Sequence, residues 1–356
     1  MQSGRYIETV GLVVALALGC GGEDGERGDG NSGIASLSDS AGTGMTSSAD
    51  TNSGVGTQGS ADATMGSADS TMSGNPAGFD PKFDVGTMPD IFTDQESGCS
   101  KVDFLFVIDN SGSMADEQAN LIANFPAFIN GIQGVLSDVD EFQVGVVTTD
   151  AYGPNTGSPG CNVLGGLVTS TGGGSSSNSV CVPYASGANY MSELDDLTTK
   201  FSCAAQVGTS GSGTERPMDA LINVMEKVNG GAGQCNEGFL RDDALLVAVI
   251  ITDEWDGPND PEGGSSAGDA QSWYDSVVAA KLGIPENVVI VSLINYAGGP
   301  CPPSSNFYDG QHIVSFTNLF GINGFLGGVC EPDYGPIFTQ ATDVIKNACD
   351  NFIPPG

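Results

Sequence analysis

The sequence predicts an α/β domain built on a doubly wound, mostly parallel sheet and carried on a long N-terminal tether. Three observations predict it. Apolar runs of strand length alternate with stretches of helical periodicity through the C-terminal two thirds of the chain. Two of those runs, residues 104–108 (F-L-F-V-I) and 244–252 (A-L-L-V-A-V-I-I-T), are apolar almost throughout, the habit of strands buried on both faces. Strands alternating with helices imply right-handed crossovers that cover both faces of a parallel sheet. Before about residue 80, by contrast, the chain is Gly, Ser, Ala, Thr and Asp with almost no aromatics. Such a segment buries too little apolar surface to offset its ordering entropy.

The elements follow in order. Residues 104–108 form the first strand. Leu121, Phe125, Phe128, Ile132 and Leu136 recur at three- and four-residue spacing, so 116–136 is an amphipathic helix, with a kink or break expected at Pro126. Residues 142–148 are a second strand, followed by a Gly-, Ser- and Pro-rich excursion over 152–189, in which 165–169 is expected as an edge strand. Helices are expected at 191–205 and 218–228, a central strand at 244–252 and a helix at 269–282. A strand at 287–294, a helix at 311–320, a short strand at 325–329 and a final helix at 334–349 complete the domain. Arg241, Asp242 and Asp243 read as solvated turn charges, and His312 as a surface or packed helix residue.

Charge and cysteines narrow the function. The 356 residues carry a formal net charge of −34, a balance that repels nucleic acid and suits solubility and cation binding. Of nine cysteines, Cys20 stands apart. The other eight have no C-x-x-C spacing and only one histidine for company, so zinc is disfavoured and up to four disulfides in an oxidising compartment are expected. Cys161–Cys181 and Cys301–Cys330 are the first pairs to expect, because each brackets a local loop.

The N-terminus supplies the compartment. Residues 10–18 form an apolar run of signal-peptide length, too short to span a bilayer as a helix. It ends in Ala17-Leu18-Gly19-Cys20, which resembles a bacterial lipobox. That resemblance implies a signal peptide over 1–19 and lipidation of Cys20; a plain secretory signal is the alternative. Two or more acyl chains on one cysteine would anchor firmly. Gly21 rather than aspartate follows, so the resemblance points to the outer membrane or cell surface. Residues 20–98 then act as a disordered linker with a root-mean-square reach of roughly 50 Å, its last stretch (Phe83, Met88, Phe92) lying along the domain. Residues 99–356 are the domain itself.

The chemistry gathers after the first strand. In D-N-S-G-S-M, Asp109, Ser111 and Ser113 stand at alternate positions, with Gly112 permitting a tight turn. One carboxylate and two hydroxyls make a hard oxygen set suited to Mg²⁺, Mn²⁺ or Ca²⁺; an Asx-type turn is the bland alternative. The D-x-S-x-S pattern after an apolar strand resembles the metal-ion-dependent adhesion site of von Willebrand factor type A domains. The strand at 244–252 ends in Thr252-Asp253-Glu254, and Asp253 matches that family's last metal-site aspartate. The segment S-G-S-G-T-E-R-P-M-D-A-L resembles the family's threonine loop and assigns Thr214 as a hydroxyl ligand. Its spacing is one residue longer than the family's pattern, which leaves Thr209, Ser212 or Glu215 as replacements. Asp116 and Glu117 resemble the adjacent calcium site of integrin β-subunit domains, although acids in a first helical turn are also favoured by the helix dipole. Asp256, Asp260 and Glu262 beside Trp255 form either a cation or partner loop or a solvated acidic loop.

The resemblance implies a cell-surface binding module, not an enzyme: Asp109, Ser111, Ser113, Thr214 and Asp253 hold a cation that accepts a carboxylate from a protein or glycan ligand. A surface lipoprotein whose metal only stabilises the fold is one alternative, and a metal-dependent hydrolase another. No G-x-G-x-x-G follows the first strand, no phosphate-binding G-x-x-x-x-G-K-S/T occurs, the G-x-S-x-G match at 264–268 follows an acidic loop instead of a strand, and Ser111 stands where a haloacid dehalogenase would carry its second aspartate.

Overall fold

The computed structural model describes residues 98–135, 139–256, 266–301 and 310–356. The signal, Cys20 and linker assignments therefore lie outside the described residues, as do Leu136, Asp260 and Glu262.

A six-stranded sheet organises the domain. In spatial order it runs β3 (Met191–Ser192), β2 (Glu141–Thr148), β1 (Lys101–Ile108), β4 (Leu245–Ile251), β5 (Val288–Ile294) and β6 (Gly324–Gly328). All neighbours are parallel except β3, which runs antiparallel to β2. The fold is thus the α/β class that the alternation predicts, with β1 and β4 side by side at its centre.

The period of two along each strand distributes side chains to two cores. Phe104, Phe106 and Ile108 of β1 join Val247, Val249 and Ile251 of β4 on one face. There they meet α1 (Ala115–Val135), α2 (Leu197–Ala205) and α6 (Gly335–Asp350). Leu105 and Val107 join Leu246, Ala248 and Ile250 on the opposite face, against α3 (Pro217–Met225), α4 (Ala270–Ala280) and α5 (Gln311–Asn318). Burial on both sides is why these strands read as continuous apolar runs.

Several expectations are corrected. Helix α1 has no break at Pro126. Proline forfeits one backbone bond, while Leu121, Phe125, Phe128 and Ile132 on the same face are all buried, and that packing outweighs the loss. The helix expected over 191–205 is two elements: Met191–Ser192 is the edge strand, and α2 begins only at Leu197, behind Asp196, whose carboxylate accepts the Thr199 N–H at 3.2 Å. Residues 165–169 form no strand; Val168 gives a single N–H bond to Val146 O at 2.8 Å and the chain leans on the edge of β2. A Cβ on Gly145 of β2 would lie 2.6 Å from Leu167, so the glycine is what lets the excursion close on the sheet.

Cys161 pairs with Cys235 and Cys181 with Cys203, not Cys161 with Cys181. The excursion is stapled outward, to the segment after α3 and to α2, instead of being closed on itself. Cys301–Cys330 is the pair expected from its local loop, and Cys99–Cys349 ties the start of the domain to the last helix. Arg241 is not a solvated turn charge: it is largely buried, its Nε 2.8 Å from the fully buried Asp103 carboxylate and its Nη1 2.8 Å from Glu141. Asp243 and Asp242 pair with Lys101 and Lys227 at 2.7 and 3.1 Å.

Cys99–Cys349 spans 250 residues. Chain-entropy reasoning for a loop of this length predicts that the double variant Cys99→Ala/Cys349→Ala loses about 5 kcal/mol of stability in a denaturant titration. An unchanged midpoint would show that the staple constrains nothing.

Candidate functional site

Strand order reverses between β1 and β4, one continuing towards β2 and the other towards β5. At such a switch point the loops leaving the two strands diverge and open a crevice at their carboxyl ends. Asp109, the first residue after β1, is fully buried there. Its N–H donates to Ile251 O at 3.0 Å, its Oδ1 accepts the Ser111 N–H at 2.7 Å and its Oδ2 accepts the Thr252 hydroxyl at 2.6 Å. The Ser111 and Ser113 hydroxyls lie 3.2 Å apart, and Ser113 Oγ donates to Asp253 Oδ1 at 3.0 Å. The β1 and β4 loops are therefore sewn together through the residues that the motif singles out.

A third loop, residues 208–216, closes over them. Gly211 N–H donates to Asn110 O at 2.8 Å, and a Cβ at Gly211 would sit 2.5 Å from the Asn110 side chain, so only glycine permits this approach. Asp150 accepts from Asn110 Nδ2 at 3.2 Å and from the Ser212 N–H at 2.9 Å. Gln118 donates to Asp109 O at 3.0 Å and to Gly208 O at 2.9 Å, while its Oε1 accepts the Gly208 N–H. Asp256, from the suspected acidic loop, is buried and structural. It accepts from the Met218 N–H in the first turn of α3 at 3.0 Å and from both the N–H and hydroxyl of Ser266.

Of the four residues weighed for the third-loop ligand, Glu215 is the one carried inward. Thr214 is exposed, with its N–H on Ser212 Oγ at 3.0 Å; Thr209 faces the excursion, bonding Gly174 O; Ser212 is exposed. Glu215 is buried, and its Oε2 accepts the Thr149 hydroxyl. Glu117 is likewise buried from the α1 side, whereas Asp116 is exposed. Sequence reasoning did not find the supporting groups Asn110, Gln118, Thr149 and Asp150, whose roles depend on contacts across three loops.

The electrostatics are lopsided. Burial first, then the neighbouring Asp253, pushes the Asp109 carboxyl up; burial and then Asp109 do the same to Glu215. Burial, Asp116 and Asp253 push Glu117 up to about 8, and burial raises Asp253. No basic side chain figures among the principal influences on these four groups. Glu117 Oε2 and Glu215 Oε1 are buried without a hydrogen-bond partner. Such oxygens are costly unless protonated or neutralised by a cation. Among the described residues no group of three or more His, Cys, Asp or Glu side chains stands together as a metal site. A cation here has to draw on the hydroxyls of Ser111 and Ser113 and on water as well as on carboxylates, a set that suits hard ions.

No protein-family model matches the sequence, and no curated protein matches it. Among solved structures, proximal thread matrix protein 1 from the mussel byssus aligns with 70% of this chain and 49% of its own, at 13% identity and a TM-score of 0.36. The chain thus spans about half the length of that structure, and at this score the likeness defines neither fold nor function.

The raised carboxyls set a pH dependence. Folded values above the unfolded values of about 4 mean that the cation-free folded chain retains protons which the unfolded chain releases. Stability is therefore fullest in acid and is lost as pH rises through the folded values. Above about pH 8 the effect is opposed by Lys281, whose ammonium burial holds down to about 8. Thermal unfolding in excess chelator is expected to show Tm falling from pH 5 to pH 8, with a shallower fall in Glu117→Gln. A Tm that rises over this range would contradict the assignment.

Proposed function

We propose that the domain is a cation-dependent binding module of the von Willebrand factor type A kind, displayed at the cell envelope on a lipidated tether. The observation that carries this reading is the convergence of Asp109, Ser111 and Ser113 with Asp253 at the β1/β4 switch point, beside buried carboxylate oxygens of Glu117 and Glu215 that have no hydrogen-bond partner. Asp109, Ser111, Ser113 and Asp253 would hold the ion, with Thr214 on the loop at the mouth and the Glu215 carboxylate buried behind it, outside the direct ligand set. Mg²⁺, Mn²⁺ and Ca²⁺ all suit the donor atoms. A bound divalent cation supplies residual positive charge that attracts a carboxylate from the ligand.

The protein groups do the remaining work. Thr252 and the Ser111 N–H orient the Asp109 carboxylate, Gln118 locks the backbone beneath it, and Asp150 and Asn110 hold the 208–216 loop at the mouth. None of these groups is arranged as nucleophile and base. The reading is therefore of binding, and export with a lipid anchor at Cys20 is the part of it that rests on the N-terminal sequence.

Calorimetric titration of the full chain with Mg²⁺, Mn²⁺ and Ca²⁺ tests the site. Saturable binding in the wild type, abolished by Asp109→Ala and Asp253→Ala, is the expected outcome, with circular dichroism showing a retained fold. Equal heats in wild type and variants would overturn the site. Loss of the fold on chelation, instead of loss of ligand binding alone, would favour a purely structural ion.

A further inference from the structure

The crevice occupies the carboxyl ends of the strands, and the opposite end of the sheet has a different character. Where α5 turns back into β6, Leu319 and Ile322 stand 41% and 78% exposed, and Ile353 of the C-terminal tail is exposed nearby. The turns at this end are tied to one another. Asn287 Nδ2 donates to Ile353 O at 2.7 Å and its Oδ1 accepts the Ile353 N–H at 2.9 Å, while Asn323 Nδ2 donates to Glu286 O at 3.2 Å. Between them lies a groove of about 440 Å³, lined by Leu319 and Ile322, by Tyr274 and Phe320 with ring centroids 4.8 Å apart, and by Asn347 and Asn351 of α6. Exposed aliphatic side chains gathered around a groove mark an interaction site.

The chain itself carries an occupant. No aromatic side chain occurs between residues 21 and 78, yet the ten residues 83–92 (F-D-V-G-T-M-P-D-I-F) include Phe83, Val85, Met88, Ile91 and Phe92. A segment that only spans distance has no use for such side chains in water. The described chain begins at Gly98, and Cys99 is bonded to Cys349 in the last turn of α6. At 3.6 residues per turn, Asn347 and Asn351 share one face of that turn and Cys349 lies on the other; the two asparagines are exposed and the cysteine is buried. The groove is thus about one helix diameter, roughly 10–12 Å, from the point where the described chain begins. Phe92 stands six positions before Gly98, an extended reach of about 20 Å. Segments 257–265 and 302–309 continue from the carboxyl ends of β4 and β5, the far end of the sheet, and 136–138 lead into β2, three strands from β5. That leaves the tether as the outlying segment that joins the domain beside the groove.

We propose that residues 88–92 of the tether dock in this groove, with Ile91 and Phe92 seated against Leu319, Phe320 and Ile322. So short a connection sets an effective concentration in about the millimolar range, so a contact of two or three side chains suffices. A second copy would have to meet the full association cost for the same few side chains. Docking gathers the tether onto the end of the domain opposite the crevice, which turns the crevice away from the anchor. That consequence rests on the lipidated tether proposed above, whereas the docking stands without it.

The test places p-benzoylphenylalanine at position 92 of the full chain, irradiates it in dilute solution and maps the products by mass spectrometry. Crosslinks within one molecule to peptides 319–323 or 347–351 are expected. In the unlabelled chain, chymotryptic cleavage after Phe92 is expected to speed up about tenfold in Ile322→Asp and in Leu319→Asp/Ile322→Asp. Cleavage after Phe79 should not change, and Val228→Asp, at an exposed position outside the groove, should leave both rates at the wild-type value. Circular dichroism checks the fold, and Ile322→Asp, the more exposed site, carries the test alone if the double variant does not fold. Crosslinks to other peptides only, or none, with cleavage after Phe92 unchanged in Ile322→Asp, would overturn the proposal. Crosslinks to the groove of a second molecule, seen as a covalent dimer that disappears on dilution, would overturn it in favour of an interface between copies.

Discussion

The structure turns on one buried carboxylate. Asp109 leaves the central strand with no exposed surface, and two neighbours fix it: the Ser111 N–H in its own loop and the Thr252 hydroxyl in the loop after β4. Because β1 and β4 diverge to opposite halves of the sheet, this clasp joins the two halves where they would otherwise part. Everything proposed for the site depends on it. It holds the turn from which the Ser113 hydroxyl donates to Asp253.

Such a clasp is an unusual place to gather acids. Asp109, Glu117, Glu215 and Asp253 are all raised by burial, and desolvated like charges destabilise the fold unless a proton or cation intervenes. A domain selected for stability alone would replace them with apolar or neutral groups. Here the surrounding scaffold is heavily reinforced instead. Four disulfides staple the described residues, two of them holding the excursion whose Gly174 touches the 208–211 backbone. That division of labour, rigid walls around an electrostatically unfavourable crevice, is what the proposed binding role would require.

How much of this is legible in the sequence follows from the range of the interactions. The β1 and β4 strands are readable because burial on both faces leaves uninterrupted apolar runs, and Asp109, Ser111, Ser113 and Asp253 are readable because each lies within a few residues of a strand end. The third loop is not. Thr214 and Glu215 are adjacent, and which of them turns inward depends on Thr149 and on how closely Gly211 approaches Asn110, contacts that no local pattern encodes. The cysteine partners escape for the same reason: Cys161 meets Cys235 only because the excursion lies across β2, an approach permitted by Gly145. Met191 and Ser192 look helical beside α2, yet they pair with Gln143 and Val144; the Asp196 cap, followed three residues later by Thr199, is the local signal that separates the two elements.

The most direct test of the central claim is an anomalous-difference map from crystals of the full chain grown or soaked in Mn²⁺. The account predicts one strong peak among the oxygens of Asp109, Ser111, Ser113 and Asp253. A map with no peak in this crevice at saturating Mn²⁺, or with its peak on other residues, would contradict it.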